Sequence, residues 1–116
     1  MGEKKQYDLE DRTLRFARSV SKLVNSTSRT LSNVEYCKQV IRSAGSVGAN
    51  YIEANEALSK KDFVMRIKIC RKEAKESRYW LSLITCSEEA QSIQKMLLQE
   101  SMELTKIFGA ILEKSK

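Results

Sequence analysis

Seven basic residues, Lys60, Lys61, Lys68, Arg71, Lys72, Lys75 and Arg78, recur at spacings that place them on one side of a helix. At 100° per residue they fall within about a third of the circumference. No acid lies among them, because Asp62, Glu73 and Glu76 point elsewhere at the same angular increment. Tyr79 falls inside the strip. Cations in a row track a phosphate backbone, and an aromatic ring can stack on an unpaired base. The strip therefore reads as an electrostatic footprint for nucleic acid. The bland reading of the same residues is an ordinary solvated helix face, since basic faces are common. A membrane surface is not expected, because nothing apolar and exposed flanks the cations.

A second set of residues could carry acid–base chemistry. Arg42, Asn50 and Glu53 precede Glu73 and Glu76, all close to apolar positions. Paired carboxylates can hold a metal or serve as a general acid and base, but buried carboxylates also need cationic partners simply to be tolerated. Arg42 is the natural partner, between helices or between subunits. The favoured reading is a polar network that fixes helix register or assembly. Histidine is absent from all 116 residues. That excludes Ser-His-Asp and Cys-His nucleophile arrangements, His-bearing zinc sites and the Glu-x-x-His pairs of di-iron bundles. No catalytic residue, metal or cofactor is expected.

The elements that must position these residues are helical. The chain has no proline and only four glycines, and a chain so short of punctuators, rich in Glu, Lys, Leu and Ser, is not built from strands and turns. Its length suits one domain that buries roughly 65% of its unfolded surface. Net charge is +6, which permits an anionic partner without requiring one. Cys37, Cys70 and Cys86 are odd in number, with no C-x-x-C spacing. They read as reduced thiols, mostly buried, in a cytoplasmic protein. No transmembrane span or signal peptide is expected.

Periodicity divides the chain into helices over about 9–25, 33–58, 60–85 and 88–114. Asp8, Ser32, Ser59 and Ser87 are the expected N-caps, Ser32 with Glu35 completing a capping box. The first helix carries Phe16, Ala17, Val20, Leu23 and Val24 on one face. On the second, Val34, Cys37, Ile41, Ala44, Gly48, Tyr51, Asn55 and Leu58 recur at threes and fours. The small-residue tract 43–49 stays helical on this reading, because the periodicity passes through it. Small side chains there would let a neighbouring helix approach closely. The alternative is a kink near Gly45.

The third helix has an apolar face of Phe63, Ile67, Cys70, Ala74, Leu81 and Ile84. A further strip, Met65, Ile69, Trp80 and Leu83, lies about a third of a turn away. It is either the edge of one wide buried stripe or a subunit interface. On the fourth, Ile93, Leu97, Glu100, Leu104, Ile107 and Ile111 form a coiled-coil-like seam in which Glu100 must snorkel or meet a base. Four amphipathic helices with short connections read as all-α, an antiparallel up-down-up-down four-helix bundle.

The segments RSAGSVGANYIEA (42–54), SKKDF (59–63) and RKEAKESRYWL (71–81), with LRFA (14–17) upstream and IFG (107–109) downstream, resemble the bacterial four-helix-bundle proteins encoded in 23S rRNA intervening sequences. The resemblance covers most of the chain. It implies an up-down-up-down bundle that assembles as a homopentamer, and a genetic association with ribosomal RNA. Asn50, Glu53, Glu73, Glu76 and Trp80 match the family's signature, where their role is most simply structural. The expected protein is a non-enzymatic homopentamer that binds RNA or another nucleic acid through Lys61, Lys68, Arg71, Lys72, Lys75, Arg78 and Tyr79. The alternative is a protein–protein interaction scaffold or accessory factor with no nucleic-acid contact.

Overall fold

The computed structural model describes residues 9–116. These residues form four α-helices: α1 (Leu9–Asn25), α2 (Leu31–Asn55), α3 (Lys60–Leu83) and α4 (Glu88–Lys114). No strand occurs among the described residues. The expected Asp8 cap lies outside them.

Helix starts are set by hydroxyls. Ser59 accepts from the Asp62 backbone N–H at 3.0 Å, and Ser87 from that of Ala90 at 3.3 Å. Each satisfies a donor that the first turn of a helix leaves orphaned. The second helix departs from expectation. Its cap is Thr30, which accepts from the Asn33 N–H at 3.1 Å, and Ser32 lies within the first turn. The reason is tertiary: Asn33 is 2% exposed and its side chain is tied to the α1–α2 and α3–α4 loops. Glu35 pairs with Lys38 instead of closing a box. The same helix stops at Asn55, short of the expected 58, and leaves Leu58 99% exposed. The extended backbone of Ser59, which caps α3, requires the chain to have turned by then.

The helices run alternately up and down. Along α2, Tyr36, Ser43, Val47 and Asn50 meet Trp80, Ser77, Cys70 and Arg66 of α3 in descending order. Consecutive helices pack on one another, and the ring closes between α1 and α4, where contact is sparsest. The core comprises Phe16, Val20, Leu23, Val40, Val47, Ile67, Leu81, Leu104 and Phe108, each no more than 2% exposed. Two faces are rotated from expectation. On α2 the buried line runs through Val40, Val47 and Ala54, leaving Ile41 46% exposed. On α4 it runs through Ser101 and Phe108, leaving Ile93 45% exposed. In both cases the helix turns its face toward α3, its largest neighbour contact.

The tract 43–49 is unbroken helix, and Gly48 shows why a small residue stands there. A Cβ at Gly48 would lie 2.9 Å from the Oγ1 of Thr13, a buried α1 residue, whereas one at Gly45 would meet nothing within 4 Å. Gly45→Ala should therefore stabilise by about 0.5–1 kcal/mol through helix propensity alone. Gly48→Ala should lose that gain to the clash and fall below wild type in urea unfolding. Equal gains at both sites would show that the α1–α2 approach is loose.

Candidate nucleic-acid interface

The seven basic residues all lie on α3, and all are exposed. Helical register alone aligns them. Lys68, Arg71, Lys72 and Lys75 surround a shallow depression of about 300 Å³, closed on the far side by Leu112 of α4. Gly109 of α4 faces this group, and an added Cβ there would stay 4.0 Å from the Arg71 Nε, so the space does not require a glycine. Lys60 and Lys61 line a separate hollow nearer the start of α3, with Lys68 and Met65. Met65 is 48% exposed. An exposed apolar side chain therefore does flank the cations, contrary to expectation, because the neighbouring helices leave that edge of α3 uncovered. Arg78 and Tyr79 lie near the end of the helix.

None of the seven makes an ion pair among the described residues. Several other cations are spent internally. Arg12 of α1 reaches Glu100 at 2.6 Å and Glu103 at 2.7 Å on α4. This answers why an acid interrupts the apolar seam of α4. Arg15 pairs with Asp11, and Arg42 with Glu73 and Glu76. Arg66, which points away from the strip, donates to Asn50 at 2.9 Å. Asp11, Glu73, Glu76, Glu100 and Glu103 are thus taken up by cations outside the strip, and the α3 strip keeps its charge uncompensated by any ion pair among the described residues.

The polar network expected from the sequence is only partly assembled in one chain. Arg42 of α2 bridges Glu73, at 3.4 Å, and Glu76 of α3. The Trp80 indole N–H donates to the same Glu76 carboxylate at 3.0 Å. Trp80 also stacks on Tyr36 of α2, with centroids 6.2 Å apart. One turn further in, the Ser43 and Ser77 hydroxyls share a buried 2.8 Å hydrogen bond. Asn50 stands apart from this group and is held by Arg66 and by its own helix at Ser46. Glu53 is exposed, and its side chain has neither hydrogen bond nor ion pair among the described residues. Tyr36, Ser43, Ser77 and Arg66 went unanticipated, because helical periodicity says which residues share a face but not which faces meet.

The Trp80 N–H, opposed by partial burial and aided by Arg42, holds the Glu76 carboxyl below the usual carboxylate range. A carboxyl with a lowered folded pKa stabilises the fold above its unfolded pKa, and that contribution fades as pH falls through the folded value. Glu76→Gln should accordingly be less stable than wild type at neutral pH and approach it below about pH 4. Urea unfolding of both proteins across pH 3–7 reads this directly. A gap that does not narrow in acid would contradict it.

Two of the cysteines, Cys37 and Cys70, are buried free thiols, and Cys86 is half-buried. Burial pushes the Cys70 thiol up to about 12, so it has no nucleophilic thiolate at neutral pH. Among the described residues no three of Cys, Asp and Glu converge as a metal ion would require. No helix among them is long and apolar enough to cross a membrane.

Fold and interface together define an all-α antiparallel four-helix bundle with an unpaired row of cations along α3. Residues 5–113 match the family described as 23S rRNA-intervening sequence protein, and the chain belongs to that family. It is also similar to a crystal structure, at 1.70 Å, of a protein of unknown function from the S23 ribosomal protein family of Bacteroides thetaiotaomicron VPI-5482. The two share 32% identity over 89% of this chain and 96% of the other, with a TM-score of 0.72. No curated protein matches the chain.

Proposed function

We propose that this chain is a non-enzymatic, cytoplasmic nucleic-acid-binding protein that assembles as a homopentamer and holds RNA on the basic strip of α3. The observation that carries this reading is the gathering of seven cations outside ion pairs on one helix face. Arg18, Lys22, Lys95 and Lys106 are also outside ion pairs among the described residues but are divided between α1 and α4. Arg12, Arg15 and Arg42 are bound to carboxylates, while Lys60, Lys61, Lys68, Arg71, Lys72, Lys75 and Arg78 are exposed and outside every ion pair among the described residues. Cations left free in a row gain most from displacing counterions on a polyphosphate. The family's description, which names 23S rRNA, favours RNA over other polyanions.

Self-association is supported by what one chain leaves uncovered. Met65 is 48% exposed and Leu83 36% exposed, beside the half-buried Ile69 and Trp80. A bundle that buries only part of a wide apolar stripe gains by covering the rest. Five copies would also present five basic strips, so individually weak phosphate contacts would combine.

Light scattering should give a mass five times the 13.3 kDa of the chain. A monomeric mass at micromolar concentration would refute the assembly. For RNA, four phosphate contacts on a strip predict a roughly fifty-fold loss of affinity between 50 and 200 mM salt. Absence of any salt-sensitive RNA binding would remove the nucleic-acid reading and leave the interaction scaffold in its place.

A further inference from the structure

We infer that the nucleic acid held on α3 is single-stranded, with an unpaired base stacked on Tyr79 and its phosphates on Lys68, Lys72 and Lys75. The inference rests on the reading of the strip as a nucleic-acid surface and names the class of ligand it takes.

The first argument is shape. Lys68, Lys72, Lys75 and Tyr79 follow one another at steps of four, three and four residues, one side chain per helical turn. They form a straight line about 16 Å long on a rod that rises 1.5 Å per residue. A flexible strand can lie along that line. A duplex winds its phosphates away from it unless the protein element enters a groove. α3 cannot do so, because α2 and α4 pack on both its sides and Leu112 of α4 stands at the rim of the lysine depression. The deep, narrow major groove of A-form RNA excludes side chains in any case.

The second argument is the state of Tyr79. Tyr79 is 59% exposed, and its ring has a packed neighbour on one side. It meets Trp80 edge-on, with centroids 5.0 Å apart and planes at 72°. Trp80 is in turn fixed by its hydrogen bond to Glu76 and by the stack on Tyr36. An aromatic relay thus runs from α2 through Trp80 to a ring that faces solvent. A ring already oriented loses little freedom when a base is laid on it.

The third argument is polarity along the helix. Tyr79 lies close to the end of α3 at Leu83, the negative end of the helix dipole, although Gln94 donates to the Leu81 carbonyl at 2.8 Å and Ser82 to the Tyr79 carbonyl at 2.7 Å. That end disfavours phosphate and is indifferent to a neutral base. The lysines lie further back, where the dipole does not oppose them. The lysine segment is thus followed by Tyr79, with the exposed Arg78 beside it as a further cation.

The test is a set of anisotropy titrations at low salt with the full-length protein. The probes are a short unstructured RNA, a DNA strand of the same sequence, and a blunt RNA duplex. Single strands should bind about tenfold or more tightly than the duplex. The RNA and DNA arms identify which strand chemistry is preferred. Tyr79→Ala should weaken binding to the preferred strand by about 5- to 150-fold and leave duplex affinity unchanged, while Tyr79→Phe retains it. Because Trp80 is the single tryptophan and touches Tyr79, its emission should change on saturation with the strand in wild type. Equal affinity for strand and duplex overturns the single-strand assignment. So does a Tyr79→Ala variant that binds strands as tightly as wild type. Either result leaves salt-sensitive binding by the lysines standing. Loss of all binding, to every probe, overturns the nucleic-acid reading itself.

Discussion

A variant with glutamate at Lys68, Arg71, Lys72 and Lys75 is expected to lose RNA binding entirely while remaining folded. Each exchange shifts the charge by two, so the formal charge of the chain passes from +6 to −2. The local effect is larger than the global one. These four residues surround one depression, and reversing them turns four attractions into repulsions on the line a phosphate backbone would follow. Losing four contacts removes the salt-dependent term described above, and the introduced repulsion removes what remains. Folding should be nearly unaffected. All four side chains are exposed and none gives up an ion pair. The introduced carboxylates repel one another at helical spacings, and the one at position 72 also repels Glu76, whose charged form Lys72 now favours, by about 0.2–0.5 kcal/mol per pair. A matched control isolates the site from the net charge. Arg18, Lys22, Lys95 and Lys106 are exposed on α1 and α4, and converting them to glutamate gives the same formal charge. That control should keep measurable binding. Filter binding or anisotropy at low salt compares the two. Undiminished affinity in the α3 variant would sink the proposed surface.

Asn33→Ala should destabilise the bundle by about 2–5 kcal/mol, a large effect for one exposed-loop neighbour. Asn33 sits in the first turn of α2, and its amide nitrogen donates to the Ser28 carbonyl at 3.0 Å and to the Thr85 carbonyl at 2.8 Å. Its side-chain oxygen accepts from the Thr85 N–H at 3.0 Å. One buried side chain therefore ties the α1–α2 loop to the α3–α4 loop across the same end of the bundle. Removing it leaves two carbonyls and an N–H without their side-chain partner. Ser28 and Thr85 are themselves exposed, so the loss is that of three hydrogen bonds made by one buried amide rather than of groups sealed from water. Guanidinium or urea unfolding gives the number. A loss under about 1 kcal/mol would show that water replaces the asparagine and that the loops are held by other contacts.

Much of this fold is legible in the sequence because helical order is local. The caps at Ser59 and Ser87 follow from hydroxyls placed just before apolar periodicity. The tract 43–49 remains helical because its periodicity continues through Gly45 and Gly48. The angular grouping of the α3 cations needs only a constant rotation per residue. Asn33 carries no such signal: a polar residue near a helix start looks exposed until a loop 52 residues away is brought against it. Thr30, only three residues from the Asn33 N–H it caps, is not distinguished from Ser32 by spacing, because both hydroxyls precede the apolar periodicity. Distance along the chain also hid the pairing of Glu100 with Arg12 across 88 positions, although the break in the α4 seam had marked Glu100 as a residue needing a partner.

The candidate site divides along the same line. Which cations share a face was fixed by register, and so was the position of Tyr79 among them. That those cations are left out of ion pairs was decided by the tertiary structure, which brings Arg42 to Glu73 and Glu76 and so occupies the acids on the neighbouring face of α3. The tertiary structure likewise decided that Tyr79 is braced by Trp80 and, through it, by Tyr36 of another helix. It left Glu53 outside that network altogether. The sequence by itself determined four helices, their order, and the composition of each face, because these depend on spacing within one segment. Which faces meet, which charges neutralise each other and which remain to meet a ligand depend on packing between segments far apart in the chain, and no local spacing encodes that.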